Sequence, residues 1–286
     1  MPTRHHHVLS DGPEPPVHLL MPAWVPNRYL GVKAVNVFPA NARIGKPAVS
    51  GVYLLFSAQT GETLAILEGG ELTARRTAAA SALAARYIAR EDASRLLIVG
   101  TGRLSRHLAS AHASVRPITQ ISVWGRNPDK ARAVAKELCG GGLCANAVVD
   151  LEAAVAWADI VSCATLSTSP LVRGAWLKPG THLDLVGGFT PAMREADDDA
   201  IRRSQIFVDT RAGAMKEAGD IVVPLQTAVL SPREIQGDLF DLTRNDHPGR
   251  TSEEHITLFK SVGVAIEDLA AASLVYEKST HVSVGA

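Results

Sequence analysis

The sequence has few cysteines, no net charge and no long apolar run. Its three cysteines contain no Cys-x-x-Cys pair, which argues against a zinc or redox site and favours free thiols in a reducing compartment. The 29 basic residues equal the 29 acidic ones and no long basic run occurs, so nucleic-acid binding is not indicated. No apolar run approaches the roughly 18 residues of a membrane span.

The first residues carry no pattern of an export signal, since residues 1–16 lack the apolar stretch of a secretory signal. We interpret the histidines at positions 5–7 as a polar segment leading into the fold, and the alternatives are a metal-binding tract or the remnant of a tag. We expect no metal site. We therefore expect a cytoplasmic protein with neither nucleic-acid nor membrane partners.

The strongest functional pattern lies in residues 95–105, where an apolar strand, a glycine turn and a helix follow one another. Gly100, Thr101 and Gly102 form the turn. The first glycine permits the tight bend, and the second lets the backbone approach a phosphate. Ser105 takes the third position of the usual G-x-G-x-x-G pattern. This order brings backbone N–H groups and a helix N-terminus to a pyrophosphate, so we predict dinucleotide binding.

The next predicted strand, residues 121–124, indicates which dinucleotide is used. Gly125, Arg126 and Asn127 follow it, and no acid occurs before Asp129. An NAD site usually has an acid here for the ribose 2′-hydroxyl, whereas the guanidinium of Arg126 suits a 2′-phosphate. We expect NADPH to be preferred over NADH. The alternative is that Arg126 is an ordinary solvated arginine in a turn.

The patterns predict an α/β fold in which a doubly wound Rossmann sheet is inserted into a second domain. Strands at residues 159–163 and 182–186 extend the Rossmann sheet, for which we predict residues 91–254. Residues 1–90 and 255–286 form the other, strand-rich domain. The predicted strands of this domain are residues 17–21, 29–38, 49–56 and 63–67. Helices are predicted at residues 70–90, 235–242 and 261–277.

Cationic residues outside the Rossmann pattern indicate an anionic partner. Arg75 and Arg76 lie in the first turns of a predicted helix, where positive charge opposes the helix dipole. A guanidinium facing a carboxylate explains one of them, and the alternative is that both lie on the surface. Lys33 interrupts an alternating apolar strand and either reaches solvent or meets a buried anion. Arg76 and Lys33 together form a candidate carboxylate pocket. Since the ligand is then the partner of Arg76, we expect replacement of Arg76 to change stability little.

Several separate motifs carry a resemblance to a known family. They are MPAW, GVKAVNVFP, LTARRTAAASALAA, the Gly100 turn, LDLVGGFTP and ITLFKSVG. In order and spacing they resemble the ornithine cyclodeaminase/mu-crystallin family over residues 21–272. Within it the resemblance is closest to the Δ1-pyrroline-2-carboxylate and Δ1-piperideine-2-carboxylate reductases.

The resemblance implies an NAD(P)H-dependent ketimine reductase of proline metabolism, an oxidoreductase acting on CH–NH bonds. Its substrates are small cyclic 2-imino acids, which it reduces to L-proline or L-pipecolate. The resemblance also implies a homodimer, in which the discontinuous α+β domain serves both dimerisation and substrate binding.

The resemblance further implies roles for individual residues. Lys33 and Arg76 are the catalytic residues implied. The substrate-binding residues are Arg4, Lys33, Arg76, Phe189 and Val262. The cofactor-binding residues expected from pattern and resemblance are Gly100, Thr101, Gly102, Arg103, Leu104, Trp124, Gly125, Arg126, Asn127, Thr165, Asp184, Leu185, Val186, Gly187 and Ser261.

One position departs from the family pattern. The cyclodeaminases have an aspartate after Val-Gly-Gly, where this chain has Phe189. A phenyl ring neither accepts a proton nor pairs with an ammonium, so the departure argues against cyclodeaminase chemistry. Two alternatives remain beside imine reduction. One is an ornithine cyclodeaminase or an alanine-type dehydrogenase, and the other is a non-catalytic NADPH-binding protein like mu-crystallin.

Overall fold

Alternating apolar residues near the start of the chain form a five-stranded antiparallel sheet in the computed structural model, which describes residues 4–12 and 15–282. For Ala42, His281 and Val282 it describes the backbone alone. The strands pair in chain order: β1 (His5–Val8), β2 (Val17–Val25), β3 (Tyr29–Val37), β4 (Val49–Ser57) and β5 (Thr63–Glu68).

One face of this sheet is covered by the last helix of the chain. Helix α1 (Gly69–Ile88) follows the sheet, and helix α9 (Ala265–Val282) packs on β2, β3 and β4. The strand register places Lys33 on β3 between Met21 on β2 and Tyr53 on β4, and all three are buried. Lys33 therefore lies on the face that α9 covers.

A second sheet of eight parallel strands is built from the middle of the chain. These strands are β6 (Arg95–Val99), β7 (Gln120–Trp124), β8 (Ala145–Val148), β9 (Ile160–Cys163), β10 (His182–Leu185), β11 (Ser204–Val208), β12 (Ile235–Asp238) and β13 (Ile256–Lys260). Their spatial order is β12-β11-β13-β10-β9-β6-β7-β8. Alternate residues of β6 belong to two different cores, Leu97 and Val99 to one and Leu96 and Ile98 to the other. The central strand β6 is thus buried on both faces of the sheet, as its apolar residues require.

Short helices connect the parallel strands. They are α2 (Leu104–Val115), α3 (Pro128–Gly140), α4 (Leu151–Trp157), α5 (Asp198–Arg203), α6 (Arg211–Glu217), α7 (Gly219–Gln226) and α8 (Leu239–Thr243). The parallel sheet with its helices, beside a separate antiparallel sheet, confirms the predicted fold class. By contacts, the chain divides into a first unit, Met1–Arg76 with Val264–Ala286, and a second unit, Thr77–Gly263. The domain limits given above remain predictions.

The structure corrects three of the predicted elements. Residues 235–238 form an edge strand, and a capping box at Asp238 delays the predicted helix to the five residues of α8. The last helix starts at Ala265 and not at residue 261, because Gly263 has a φ of 81° that interrupts helical geometry. The histidine segment at residues 5–7 forms most of strand β1.

Two absences concern only the described part of the chain. None of its helices is long and apolar enough to cross a bilayer. Within the same residues, no group of three or more His, Cys, Asp or Glu side chains is arranged to hold a metal ion.

Candidate active site

The glycine turn lies where the strand order of the parallel sheet reverses. Strands β6 and β9 are neighbours, although β7 and β8 separate them in the chain. Gly100, which follows β6, has a φ of 131°, and a methyl group on it would lie 2.6 Å from the carbonyl oxygen of Ala164 after β9. Only glycine fits where these two loops approach each other so closely. In doubly wound sheets such a point is the ligand-binding crevice.

The next residues leave room for a pyrophosphate. A methyl group on Gly102 would meet no atom within 4 Å, so the backbone there is open to a ligand. Arg103 is the N-cap residue of α2 and makes no side-chain capping hydrogen bond, and the helix begins at Leu104. Ser105 is buried and donates to the carbonyl of Gly100 at 2.9 Å, as a small residue at the third position of the pattern can. Backbone N–H groups at this helix start are suited to hold phosphate oxygens.

The end of β7 approaches the same turn. A methyl group on Gly125 would lie 2.5 Å from the side chain of Thr101, so the two loops are in close contact. Arg126 is exposed and makes no hydrogen bond or ion pair with the described residues. The side chain of Asn127 accepts from two backbone amides at the start of α3, so it caps that helix. Trp124 donates from Nε1 to the carbonyl of Val149 at 3.1 Å.

The side chain of Asp184, a predicted cofactor residue, has an internal role. The residue is fully buried, and its carboxylate accepts from Ser81 at 3.0 Å and from Ser162 at 2.6 Å. His112 on α2 lies 3.2 Å from the same carboxylate. Burial raises the pKa of Asp184, but hydrogen bonding and charge from His112 and Ser162 outweigh it and leave the pKa below its usual value. This carboxylate therefore joins α1, α2 and β9.

The remaining predicted residues of the second unit lie at the carboxyl ends of adjacent strands. Strands β9, β10 and β13 are neighbours, so the loops that follow them share one edge of the sheet. These loops contain Thr165, Val186, Gly187, Phe189, Ser261 and Val262, while Leu185 is the last residue of β10. Phe189 is exposed, whereas Leu185, Val186 and Gly187 are buried. Ser261 is also buried, and its hydroxyl has no hydrogen-bond partner among the described residues.

In the first unit, Lys33 meets a buried anion rather than solvent. Its side chain is 2% exposed, and Nζ lies 2.8 Å from the carboxylate of Asp268, which is itself fully buried. Asp268 lies in the first turn of α9, the helix that covers β3. Of the two interpretations of Lys33 in the sequence, the structure supports the buried ion pair.

Arg76 contacts the same carboxylate and a second one. Its Nε donates to Asp268 at 2.9 Å, and a terminal nitrogen donates to Glu267 at 2.7 Å. Arg76 is 7% exposed, whereas Arg75 is 70% exposed and pairs with Glu71 one turn earlier in the helix. Arg75 is therefore the surface arginine of the two. The expectation that only a ligand pairs with Arg76 is wrong, since two carboxylates of the protein already do.

The electrostatics of this group, which we call the cationic cluster (Arg4, Lys33, Arg76, Glu267 and Asp268), favour an anionic ligand. Burial, together with the positive charges of Arg76 and Arg4, lowers the pKa of Lys33 to about 8, although Asp268 opposes the shift. The influence of Arg4 on this pKa supports its predicted place beside Lys33. Lys33 and Arg76 are thus paired with the protein's own acids, while Arg76 and Arg4 add positive charge around the ammonium.

The sequence did not predict the pairing of Glu267 and Asp268 with the buried cations. Acids in the first turn of a helix usually complement the helix dipole and carry no further signal. Only the three-dimensional contact, which joins residues 235 positions apart for Lys33 and Asp268, reveals their role.

Comparison with known proteins identifies the family. The family model described as ornithine cyclodeaminase/mu-crystallin matches residues 14–283. The chain belongs to this family. It is 50% identical over 288 residues to an uncharacterised protein of Schizosaccharomyces pombe, covering 96% of this chain and 87% of that protein. It is 40% identical over 264 residues to a Δ1-pyrroline-2-carboxylate reductase of Paracoccus denitrificans, covering 91% of this chain and 84% of the relative.

Two solved enzyme structures superpose on nearly the whole chain. The Thermococcus litoralis Δ1-pyrroline-2-carboxylate reductase in complex with NADH and L-proline has a TM-score of 0.93 and 35% identity, covering 99% of this chain and 87% of that one. An archaeal alanine dehydrogenase dimer with bound NAD has a TM-score of 0.90 and 29% identity, covering 100% of this chain and 87% of that one.

The paired arginines of α1 provide a test of the cationic cluster. We expect Arg76→Ala to lower the free energy of unfolding by about 3 kcal/mol, because it leaves buried carboxylates without a counter-charge. Arg75→Ala, the matched control, should cost less than about 1 kcal/mol, because it breaks only an exposed ion pair. Urea unfolding at neutral pH measures both. Equal losses for the two variants would contradict the internal pairing of Arg76.

Proposed function

We propose that this chain is a reductase that uses NAD(P)H to convert cyclic 2-imino acids to cyclic amino acids. Its substrates are Δ1-pyrroline-2-carboxylate, which yields L-proline, and Δ1-piperideine-2-carboxylate, which yields L-pipecolate. The observation that carries the proposal is the buried pair of cations, Lys33 and Arg76, which meet at the carboxylate of Asp268. The relatives named as reductases of the first imine support it.

In this proposal the cationic cluster binds and orients the substrate. The ammonium of Lys33 and the guanidinium of Arg76 hold the carboxylate of the imino acid, and Arg4 adds a third positive charge. Asp268 and Glu267 keep the two cations fixed before the substrate arrives, so that little ordering is needed on binding.

Reduction of the imine requires one hydride at C2 and one proton at the ring nitrogen. When bound, the dinucleotide supplies the hydride. The proton comes either with an imine that binds already protonated or from Lys33, whose pKa near 8 keeps it mostly protonated at neutral pH and still able to donate. Phe189 offers an apolar surface to the methylene groups of the ring and no group to engage an exocyclic amine.

The glycine turn and the adjoining strand ends are proposed to hold the cofactor. Gly100, Thr101 and Gly102 with the start of α2 would bind the pyrophosphate, and Arg126 the 2′-phosphate of NADPH. We further propose that the protein is a homodimer, which the dimer of the archaeal alanine dehydrogenase supports.

An assay with the two imines and L-ornithine tests the function directly. We expect NADPH oxidation with either cyclic imine, formation of L-proline or L-pipecolate, and no release of ammonia from L-ornithine. Phe189 explains the last expectation, since burying an ammonium against a phenyl ring costs several kcal/mol. Ammonia release at a rate comparable to imine reduction would indicate a cyclodeaminase. Absence of turnover with both imines would refute the proposal.

Cofactor preference depends on Arg126. We expect kcat/KM to be several-fold higher with NADPH than with NADH, and Arg126→Ala to remove this preference while NADH use stays nearly unchanged. Only the contact with the 2′-phosphate is lost. Arg202→Ala replaces another exposed arginine of the second unit and serves as the control. An equal fall with both cofactors would mean that Arg126 is structural.

The titration of Lys33 predicts how substrate binding depends on pH. Below about pH 8 the side chain is a cation that attracts the carboxylate, and above it the charge is lost. KM for the imino acid should therefore rise, by about tenfold if roughly 1.4 kcal/mol of attraction is lost, between about pH 7 and pH 9.5. Lys33→Arg keeps its charge over this range, so the rise should disappear. A rise of the same size in Lys33→Arg would assign it to another group.

A further inference from the structure

A buried carboxylate joins two of the loops at the edge of the parallel sheet. Glu195 is fully buried. Its Oε1 accepts from the backbone N–H of Thr165 at 2.7 Å and from the Thr165 hydroxyl at 2.8 Å, while Oε2 accepts from the N–H of Gly187 at 2.8 Å. Thr165 follows β9 and Gly187 follows β10, which are neighbouring strands. One side chain therefore fixes the backbone of both loops.

The two loops are also in direct contact, so small shifts matter. A methyl group on Gly187 would overlap the backbone of Thr165 and lie 2.5 Å from the carboxylate of Glu195. The space between the loops is thus filled by their own backbone and by this carboxylate. Loss of the hydrogen bonds from Glu195 would leave buried N–H groups without acceptors, which favours movement of the loops.

A buried ion pair fixes the backbone of Glu195. The backbone N–H groups of Glu195 and Ala196 donate to Oδ1 of Asp220 at 2.8 and 3.1 Å. Oδ2 of Asp220 lies 3.6 Å from Nζ of Lys260, and both residues are fully buried. Neither of these two atoms has a hydrogen-bond partner among the described residues. A methyl group on Gly188 would lie 3.0 Å from Oδ2 of Asp220 and 3.3 Å from Nζ of Lys260, so the pair packs directly against the loop after β10.

The charges around Glu195 come from several elements. Burial raises its pKa to about 7, the positive charge of Lys260 on β13 opposes the rise, and the negative charge of Asp220 on α7 adds to it. Cys163 on β9 is also buried, and its pKa lies well above the usual value mainly because of burial, so it stays a neutral thiol. The carboxylate of Asp209, which follows β11, accepts from the N–H groups of Val262 and Gly263 at 2.7 and 2.6 Å.

We propose that Glu195 is a positioning residue for the dinucleotide: its carboxylate holds Thr165 and Gly187 in the geometry that binds the cofactor, and its protonation releases them. The inference rests on the proposed function, because it takes this edge of the sheet to bind NAD(P)H. A carboxylate accepts all three hydrogen bonds. A protonated carboxyl carries one O–H, so one N–H or hydroxyl of the loops then faces another donor. Lys260 and Asp220 set the pH at which the change occurs.

Cofactor binding across pH tests this role without turnover. Fluorescence titration with NADPH and with NADH gives the dissociation constant at pH values from about 6 to 8.5. For the wild type we expect it to rise several-fold as the pH falls through about 7. Glu195→Gln should bind as weakly as the wild type at low pH, and independently of pH, because its NH2 group donates where the carboxylate accepts. Glu152→Gln makes the same change at an exposed glutamate and should follow the wild type.

Variants of the ion pair should move the midpoint in opposite directions. Lys260→Met removes a positive charge and should raise the midpoint pH, whereas Asp220→Asn removes a negative charge and should lower it. Asp220→Asn keeps an oxygen that can accept from the N–H groups of Glu195 and Ala196, so we expect it to disturb folding less than Lys260→Met does. Backbone hydrogen exchange of residues 164–189 in the cofactor-free protein gives a second measurement, and we expect faster exchange in Glu195→Gln than in Glu152→Gln.

The outcomes separate this inference from the proposed function. Glu195→Gln with wild-type cofactor binding at every pH, or with unchanged exchange in residues 164–189, would overturn the positioning role even if imines are reduced. A protein that binds NADPH with the expected pH dependence but reduces no imine would keep this role and refute the proposed function. A wild type that binds neither cofactor would refute both.

Discussion

The carboxylate of Asp268 is what allows two cations to lie in the apolar interior of the first unit. It lies 2.8 Å from Lys33 and 2.9 Å from Arg76, and none of the three side chains is more than 7% exposed. An uncompensated buried charge costs several kcal/mol, so each of these groups requires the others. The three residues come from α9, β3 and α1, so this set of ion pairs forms only when both helices are in place in this unit.

The same ion pairs bear on the ligand that we propose for this site. The positive charges of Arg76 and Arg4 contribute to the lowered pKa of Lys33, so a bound carboxylate would stabilise the charged form of that lysine. The second unit uses buried carboxylates in another way. Glu195 and Asp209 accept hydrogen bonds from the backbone of loops after the strands, which fixes those loops before any ligand binds.

Local patterns in the sequence predict much of this arrangement, whereas contacts between distant residues are not visible there. The glycine turn, the buried strand before it and the choice of Lys33 as a functional residue follow from spacing within a few residues. The partner of Lys33 does not, because Asp268 is 235 positions away in a helix start where acids are common. The predicted helix at residues 235–242 was wrong because pairing with β11 overrides local helix preference at its first four residues. The resemblance implies that Asp184 lies along the cofactor, and that stays a prediction; its three internal partners come from distant parts of the chain and could not be predicted from the sequence.

The central claim is that Lys33 and Arg76 recognise a carboxylate while they stay paired with the protein's own acids. The most direct measurement compares the dissociation constants of L-proline and L-prolinamide by calorimetry in the presence of NADP⁺. The two ligands have the same ring and differ only in the carboxylate, and the protein is left unchanged. The account predicts that the amide binds at least about tenfold more weakly, which corresponds to roughly 1.4 kcal/mol. Equal affinities for the acid and the amide would contradict it.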